Sequence, residues 1–490
     1  MQGSFFIVEA MKKILTLTFA MLCVATLFGQ GADDACQFSQ NYYQGTAKAL
    51  GMGNALGAVG GDMTAICINP AGMGIYRSNE LTATFDLLDN FQQSTYYGTG
   101  NNANQMRLTI PNIGWVSAKQ RSNYRPLRFT QFGIGLTRTN DYNIHSFAKG
   151  LNPNSSKIHN ENFFSQIDGL SPDDLPNDAY SYWRTFLIDD HYDDQSYYYT
   201  SNVPEGNVWQ SADNQFKGRS EEWSFTGSAN FHDCLFVGLS VNLAHIKRVG
   251  TRTFEESRPN DVNTDFKNWN YSESIKSNAM GFNAKIGFIY LANSWLRIGG
   301  AFHSPTVYGF DESWQTITES DFVMSGFHSY TSEESNYEYT FIKPLKWVGS
   351  MAFLIGEQGL VSLDAEYTNF GAARFKANDY NYGNVNENIK ATYGKTLNLR
   401  IGSEWMVGNS YLRIGAAYYG SPFGLGQAGG SVKTASCGIS VPVSQSTTFD
   451  FAYELAYGKS FANLYDVADL ESITYKQFKN NIAATLKVKF

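Results

Sequence analysis

The residues that most often perform chemistry are present in this 490-residue chain, but their spacing does not match a catalytic or metal site. Seven histidines are scattered, and none has the paired spacing of a zinc enzyme. No axial-ligand pattern for haem and no Gly-x-Ser-x-Gly nucleophile elbow is visible. We therefore expect no enzyme, no catalytic residue, no bound metal and no cofactor.

Two short motifs and the net charge indicate whether the chain could bind a dinucleotide, a divalent ion or a nucleic acid. Gly51, Gly53 and Gly57 are spaced somewhat like a dinucleotide-binding loop, but no preceding strand or βαβ pattern accompanies them. The acidic run 189–194 could attract a divalent ion, although a solvated acidic loop is the interpretation we favour. The formal charge of −8 argues against a nucleic-acid partner.

An export signal is predicted at the N-terminus. Lys12 and Lys13 precede an apolar stretch over residues 14–29 that ends in small and polar residues, which is the layout of a secretory signal peptide. Residues 1–10 lie upstream of a better start at Met11. In an oxidising compartment Cys36 and Cys67 could form a disulfide, but two free thiols fit the sequence equally well.

Most of the remaining chain alternates between apolar and polar residues. In residues 480–490, Ile482, Ala484, Leu486, Val488 and Phe490 share one face, and Asn481, Thr485, Lys487 and Lys489 share the other. This period of two is typical of a strand with lipid on one side and water on the other. Charges of both signs recur on the inner face of such segments, which a soluble barrel or sandwich would fill with an apolar core.

Fourteen segments have this pattern, and the connections between them alternate between long and short. The sequence therefore predicts an all-β fold, a 14-stranded antiparallel transmembrane β-barrel with short periplasmic turns and long outer loops. The predicted strands cover residues 80–89, 107–118, 129–139, 222–232, 234–247, 278–290, 295–303, 340–355, 359–368, 395–407, 410–419, 432–441, 446–457 and 480–490.

The segment before the first strand does not alternate. Residues 30–79 are rich in small residues, with a glycine-rich run over 49–61 followed by Asn69-Pro70-Ala71-Gly72. We therefore divide the chain into a start extension with signal peptide (1–29), an N-terminal segment (30–79) and a barrel (80–490).

These motifs, placed between an export signal and fourteen alternating strands, resemble the FadL/TodX/OmpP1 family of outer-membrane transport proteins. The resemblance at the level of motifs covers only about residues 45–80. It implies a monomeric barrel in the outer membrane of a Gram-negative bacterium, with the N-terminal segment as a hatch that plugs the lumen. It also implies capture of an apolar ligand by outer loops and lateral release through a kink in the third strand.

Residue by residue, the resemblance places Asn69, Pro70 and Ala71 in the hatch motif, and Gly133 and Gly135 on the strand that kinks. Small residues that make room for the plug are the alternative explanation for these two glycines. The longest loop carries candidate ligand-capture residues, although aromatic side chains that pack within the loop or against lipopolysaccharide would give the same composition. These candidates are Tyr182, Trp183, Phe186, Leu187 and Trp209.

The expected partners are a hydrophobic small molecule such as a long-chain fatty acid or an aromatic hydrocarbon, outer-membrane lipid and lipopolysaccharide, and the barrel-assembly machinery through Phe490. Two alternatives remain open. One is a scaffold or shuttle for protein secretion or surface attachment, and the other is a haemin-binding receptor.

Overall fold

The computed structural model describes residues 31–121, 124–159, 161–193, 196–259, 264–424, 429–465, 467 and 470–490. The predicted start extension and signal peptide lie outside these residues. Within them, the structure contains no helix with the length and apolar character needed to cross a membrane.

In the described part of the chain nineteen strands form a single sheet, and β5 and β6 form a separate hairpin. The strands are β1 (Glu80–Tyr96), β2 (Thr99–Gln120), β3 (Leu127–Asp141), β4 (Ile144–Asn152), β5 (Ile188–Asp193), β6 (Ser196–Ser201), β7 (Val208–Phe231), β8 (Leu235–Ser257), β9 (Phe266–Asn293), β10 (Leu296–His303), β11 (Thr306–Phe322), β12 (Gly326–Thr331), β13 (Ser335–Lys343), β14 (Lys346–Ile355), β15 (Gly359–Asn369), β16 (Arg374–Lys376), β17 (Lys395–Val407), β18 (Ser410–Tyr419), β19 (Val432–Pro442), β20 (Thr447–Ala462) and β21 (Ile473–Lys489).

The sheet closes on itself as a barrel. β1 pairs antiparallel with both β2 and the last strand, β21. Several neighbours are pieces of one interrupted strand: β3 and β4 both pair with β7, and β10 and β11 both pair with β9. Likewise β12, β13 and β14 are successive pieces of one strand of the wall, and β15 and β16 are successive pieces of the next. The wall therefore has 14 strands, which confirms the predicted fold class.

Side chains alternate across this wall as the sequence predicts. On β20, Phe449, Phe451 and Tyr453 are exposed on the outside, whereas Asp450 between them is fully buried. Apolar side chains outside and polar ones inside suit a wall with hydrocarbon around it and a polar interior. The register of β1 against β2 shifts between Thr84 and Asp86, opposite Pro111, which has no N–H to donate to the ladder.

The strands extend well beyond their predicted ends. β1 and β2 stay paired up to Tyr96 and Thr99, so the predicted long connection 90–106 is a turn of two residues, Tyr97 and Gly98. Alternation in the sequence reports contact with lipid, whereas backbone pairing continues past the lipid wherever polar strands satisfy each other's hydrogen bonds. The longest connection, between β4 and β7, contains the β5–β6 hairpin.

Helices are few and short. The N-terminal segment contains α1 (Ala32–Ser39), α2 (Ala47–Gly51), α3 (Met63–Ile68) and a 3-10 helix (Pro70–Ile75). The connections contain α4 (Glu161–Ile167), α5 (Asn177–Arg184), α6 (Gly383–Thr392) and two 3-10 turns, Pro172–Asp174 and Phe370–Ala372.

Candidate functional site

The Asn69-Pro70-Ala71 motif is buried against the wall. Asn69 caps the 3-10 helix, because its Oδ1 accepts a hydrogen bond from the backbone N of Ala71 at 3.1 Å. Its Nδ2 donates to the carbonyl of Gly57 at 2.8 Å and to the carbonyl of Phe288, on β9, at 3.0 Å. One side chain therefore ends a helix, fixes the glycine-rich run and joins the N-terminal segment to the barrel.

Glycines on the wall let this motif approach closely. A Cβ on Gly287 would lie 2.0 Å from Oδ1 of Asn69, and one on Gly238 would lie 2.3 Å from the carbonyl carbon of Pro70. Real Cβ atoms do not come this close to other heavy atoms. The wall is therefore shaped for the backbone of residues 69–71 at these two positions.

A chain of alternating charges joins the other side of the N-terminal segment to the wall. Asp62 pairs with Lys487 at 3.2 Å, and Lys48 pairs with Glu404 at 3.7 Å. Lys487 also pairs with Asp450, Asp450 with Arg413, and Arg413 with Glu404. Three acids and three bases balance one another, which compensates the cost of burying them.

Asp62 is the centre of this contact. Its carboxylate accepts hydrogen bonds from Thr46 Oγ1 at 2.7 Å and from the backbone N of Thr64 at 2.9 Å, so it also caps α3. Burial raises the pKa of Asp62, but Lys487 and Lys48 together with these hydrogen bonds outweigh burial and hold the pKa below its usual value. Asp62 is therefore a charged anchor at neutral pH.

A second charged anchor lies near the start of the N-terminal segment. The Nη1 of Arg248, on β8, lies 2.6 Å from Oδ1 of Asp34 and donates to Oε1 of Gln37 at 2.9 Å. The pKa of Asp34 is lowered, because Arg248 and Arg252 outweigh the effect of burial.

Cys36 and Cys67 are both free and buried, and they lie in different apolar clusters.

Gly133 and Gly135 face the N-terminal segment. A Cβ on Gly133 would lie 2.5 Å from Cε of Met73, and one on Gly135 would lie 2.5 Å from Cε of Met63. Both glycines are paired on each side, with β2 and with β7, so the wall is continuous at their level. In this structure they make room for methionines of the N-terminal segment, and the break in the wall lies further along the chain.

The third strand of the wall, which consists of β3 and β4, separates from its neighbour β2 beyond Thr137. Pairing of β2 with β3 ends at Asn112 opposite Thr137, although β2 stays paired to β1 as far as Thr99. Beyond Asn143 the chain lies on the inner face of β1, where Ser94 Oγ donates to the carbonyl of Phe147 at 2.6 Å. We define the stretch where β2 (99–111) and the third strand (138–144) are no longer paired as the seam.

The N-terminal segment takes over the freed edge of β3. The backbone N of Tyr42 donates to the carbonyl of Thr139 at 2.8 Å, and that of Gln44 donates to the carbonyl of Arg138 at 3.0 Å. Strand β3 therefore exchanges one partner, β2, for another, the N-terminal segment, between Thr137 and Arg138. The position of the N-terminal segment and the inward path of the third strand are coupled by these bonds.

Side chains bridge the seam in place of a backbone ladder. Arg107 Nη2 lies 2.6 Å from Oδ2 of Asp141, and Arg138 Nη1 donates to Oγ1 of Thr109 at 2.7 Å. The backbone N of Asn143 also donates to Asp141 at 2.9 Å. Among the described residues no backbone ladder joins the two strands along the seam, so side-chain contacts hold the wall there.

A cavity of about 340 Å³ adjoins the seam. Its lining comes from residues 37–54 of the N-terminal segment, from residues 140–144 of the third strand, from Asn90 on β1, and from β19, β20 and β21. The volume lies in the range of small-molecule sites. A ligand in this cavity would touch the N-terminal segment on one side and Asn140 and Asp141 on the other.

The candidate capture residues have different environments, and one of them, Trp209, lies on β7 instead of in the outer loop. Tyr182 and Leu187 are buried in an aromatic cluster, where the ring centroids of Tyr182 and Trp269 lie 5.5 Å apart. They cannot meet a ligand at the loop surface, so for these two the capture prediction is corrected to packing. Phe186 is half exposed. Trp183 and Trp209 are partly buried, and Trp183 Nε1 donates to Asp190 at 2.8 Å.

The seam residues Arg107, Arg138 and Asp141 were not predicted from the sequence. One signal was available: the turn-forming run Asn140-Asp141-Tyr142-Asn143 follows directly where alternation of the third strand stops. Nothing local indicates that Arg107 and Thr109 lie opposite this run, because they come from another strand.

Comparison with known proteins supports the fold. No family profile and no curated protein matches this sequence. Among solved structures, a Pseudomonas aeruginosa FadL homologue is similar at 12% identity over 92% of this chain and 99% of that chain, with a TM-score of 0.58. The Pseudomonas putida toluene transporter TodX is similar at 12% identity over 92% of this chain and 99% of that chain, with a TM-score of 0.57. The Ralstonia pickettii toluene transporter TbuX is similar at 13% identity over 92% of this chain and 99% of that chain, with a TM-score of 0.51. At such low identity the likeness establishes the fold, and the chain has the fold of the FadL and TodX barrels, as the sequence motifs indicated.

Proposed function

We propose that this protein is an outer-membrane channel for the uptake of hydrophobic small molecules, with the cavity as an intermediate site and the seam as the lateral exit. The seam carries the proposal, because it is a place where the described wall is held by side chains alone and where a cavity adjoins it. The similar solved proteins include two toluene transporters, which supports this class of ligand.

Lateral release suits an apolar ligand physically. Passage through an aqueous pore would expose the ligand to water, at a cost of about 25 cal/mol per Å² of apolar surface. The outward side chains of β2 beside the seam, Met106, Leu108 and Ile110, are all exposed on the outer face of the wall. A ligand that leaves the cavity through the seam would therefore enter hydrocarbon directly.

The N-terminal segment acts as the hatch in this proposal. It fills the lumen beside the cavity and pairs with the freed edge of β3, so a shift of residues 42–44 would release the third strand and widen the seam. The outer loop would deliver ligand to the cavity, with Phe186 as the exposed aromatic contact. The protein would be exported to the outer membrane and work there as a monomer.

Photolabelling during uptake tests the exit route. Cells that carry the full chain take up a fatty acid with a diazirine near its methyl end, are irradiated, and the labelled peptides are identified by mass spectrometry. We expect labels at 105–112 and 137–144. A D141N variant removes the charge that pairs with Arg107 and should increase labelling at 105–112, whereas D379N, in an exposed loop, should not change it.

Two results would contradict the proposal. Labels confined to the turns at the opposite end of the barrel, such as residues 232–234, would indicate passage through the lumen. Cells that lack the protein but keep normal uptake, and lose surface proteins or haemin binding instead, would favour one of the two alternative functions.

A further inference from the structure

The lining of the cavity is more polar than a hydrocarbon needs. Nine of its 25 residues are asparagine or glutamine. Carboxamides gain nothing from an alkane or an aromatic hydrocarbon, and burying them without partners costs free energy. The composition of this cavity therefore contains information about its ligand beyond apolar character.

Five of these carboxamide atoms have no hydrogen-bond partner among the described residues. They are Oε1 and Nε2 of Gln44 and the Oδ1 atoms of Asn54, Asn90 and Asn481. The four residues are nearly inaccessible, at 3%, 1%, 7% and 2% exposure. The amide of Asn143, by contrast, is engaged, because it donates to Asp141 and to the carbonyl of Gly218. The unused set contains four acceptors and one donor, so it fits a group that mainly donates hydrogen bonds.

The charges around the cavity favour an uncharged group. Lys459 and Lys479 are balanced in number by Glu454 and Asp141. Asp141 is paired with Arg107, and Lys459 is exposed to solvent, which leaves Glu454 and Lys479 as one acid and one base. Neither a carboxylate nor an ammonium group would therefore meet an excess of opposite charge in the lining.

Apolar surface is available beside the amides. Tyr42 and Tyr419 meet edge to face with ring centroids 4.8 Å apart, and Val432, Ala456 and Ile144 also line the cavity. Rings and aliphatic groups of this kind pack against hydrocarbon chains. The lining thus combines apolar surface with unused hydrogen-bond acceptors, as an amphiphile requires.

We propose that the cavity binds an amphiphile with an uncharged, hydroxyl-bearing head group, with Gln44, Asn90 and Asn481 as acceptors for its hydroxyl hydrogens. This rests on the proposed uptake function and narrows its substrate class from hydrocarbons to neutral lipids of the monoacylglycerol type. Because a site built for hydrogen bonds rejects analogues that lack them, discrimination against the bare hydrocarbon is expected.

The test compares three radiolabelled probes with the same chain length. Monolauroylglycerol, laurate and dodecane are titrated against the full-length barrel in lipid nanodiscs, with empty nanodiscs as the blank for partitioning. We expect monolauroylglycerol to bind at least tenfold more tightly than either of the others, since two or three hydrogen bonds distinguish it, each contributing about 2- to 10-fold.

Matched variants locate the binding. Gln44→Met and Asn481→Leu should each weaken monolauroylglycerol binding about 2- to 10-fold and leave dodecane binding unchanged. Gln358→Met, in an exposed turn, should change neither. The side-chain amide of Gln44 has no partner to lose, so its variant should fold normally, and heat-modifiable migration on gels checks this.

Two outcomes would overturn the head-group proposal. Equal or tighter binding of dodecane or laurate by the wild type, unaffected by Gln44→Met, would leave hydrophobic uptake standing and remove the hydroxyl ligand. Binding of none of the three probes, together with normal uptake in cells without the protein, would remove both proposals.

Discussion

Replacing Asp62 with alanine should release the N-terminal segment while the barrel stays folded. The substitution removes the cap of α3, the hydrogen bond from Thr46 and the ion pair to Lys487. Lys487 keeps Asp450 at 2.8 Å, so it is not left as an isolated buried charge. The loss is therefore confined to the contact between the N-terminal segment and the wall.

The size of the effect follows from these contacts. A helix cap contributes about 1 kcal/mol, and each hydrogen bond to a charged group about 1.5–3 kcal/mol. Breaking a buried ion pair costs about 3–5 kcal/mol, and the retained Asp450 contact places Asp62→Ala near the lower end. A loss of about 3 kcal/mol would increase the open population of the segment roughly 150-fold.

Native-state hydrogen exchange measures this opening directly. Amides over residues 44–68 should exchange roughly 100-fold faster in Asp62→Ala than in the wild type, and those of β20 and β21 should not change. Asp379→Ala, in an exposed loop, serves as the control. Unchanged exchange over residues 44–68 would refute the inference that the chain of charges holds the segment in place.

The same anchor predicts a dependence on pH. The folded-state pKa of Asp62 is lowered, so its contribution is present above the unfolded pKa of about 3.9 and is lost as pH falls through the lower folded value. Exchange over residues 44–68 should not respond to Asp62 between pH 7 and 5 and should accelerate below about pH 4. In Asp62→Ala, exchange over residues 44–68 should accelerate less below about pH 4, because the carboxylate that titrates there is missing.

Two further pairs of variants test packing elsewhere. Gly287→Val should weaken the N-terminal contact by about 1–3 kcal/mol in exchange or denaturant unfolding, because its Cβ would overlap Asn69 Oδ1, whereas Gly309→Val, with open space at its Cβ, should be nearly neutral. Equal effects of the two would contradict the close-approach argument. In the outer loop, Leu187→Ala should destabilise the loop by about 2–5 kcal/mol and speed its proteolysis. Phe186→Ala should lower ligand uptake and leave proteolysis unchanged, and the reverse pattern would exclude Phe186 as a capture residue.

Part of the candidate site was predictable because it depends on local pattern. Asn69, Pro70 and Ala71 were singled out through the resemblance to a family motif, and the hydrogen bond from Ala71 N to Asn69 Oδ1 spans only two residues, so it is encoded locally. The role of Gly133 and Gly135 was not predictable in the same way, since two explanations required small residues there. Only the positions of Met63 and Met73 against them distinguish space for side chains from a break in the wall.

The sequence by itself determined the barrel. Fourteen alternating segments and the rhythm of their connections specify strand number and facing, because each strand must present apolar residues to lipid on its own, whatever its neighbours are. Tertiary structure decided where the third strand leaves β2 and what lines the cavity. At Arg138 the edge of β3 can pair with β2 or with the N-terminal segment, and that competition involves residues about a hundred positions apart. No local pattern records its outcome, so the seam, the chain of charges and the amide-lined cavity exist only in the folded chain.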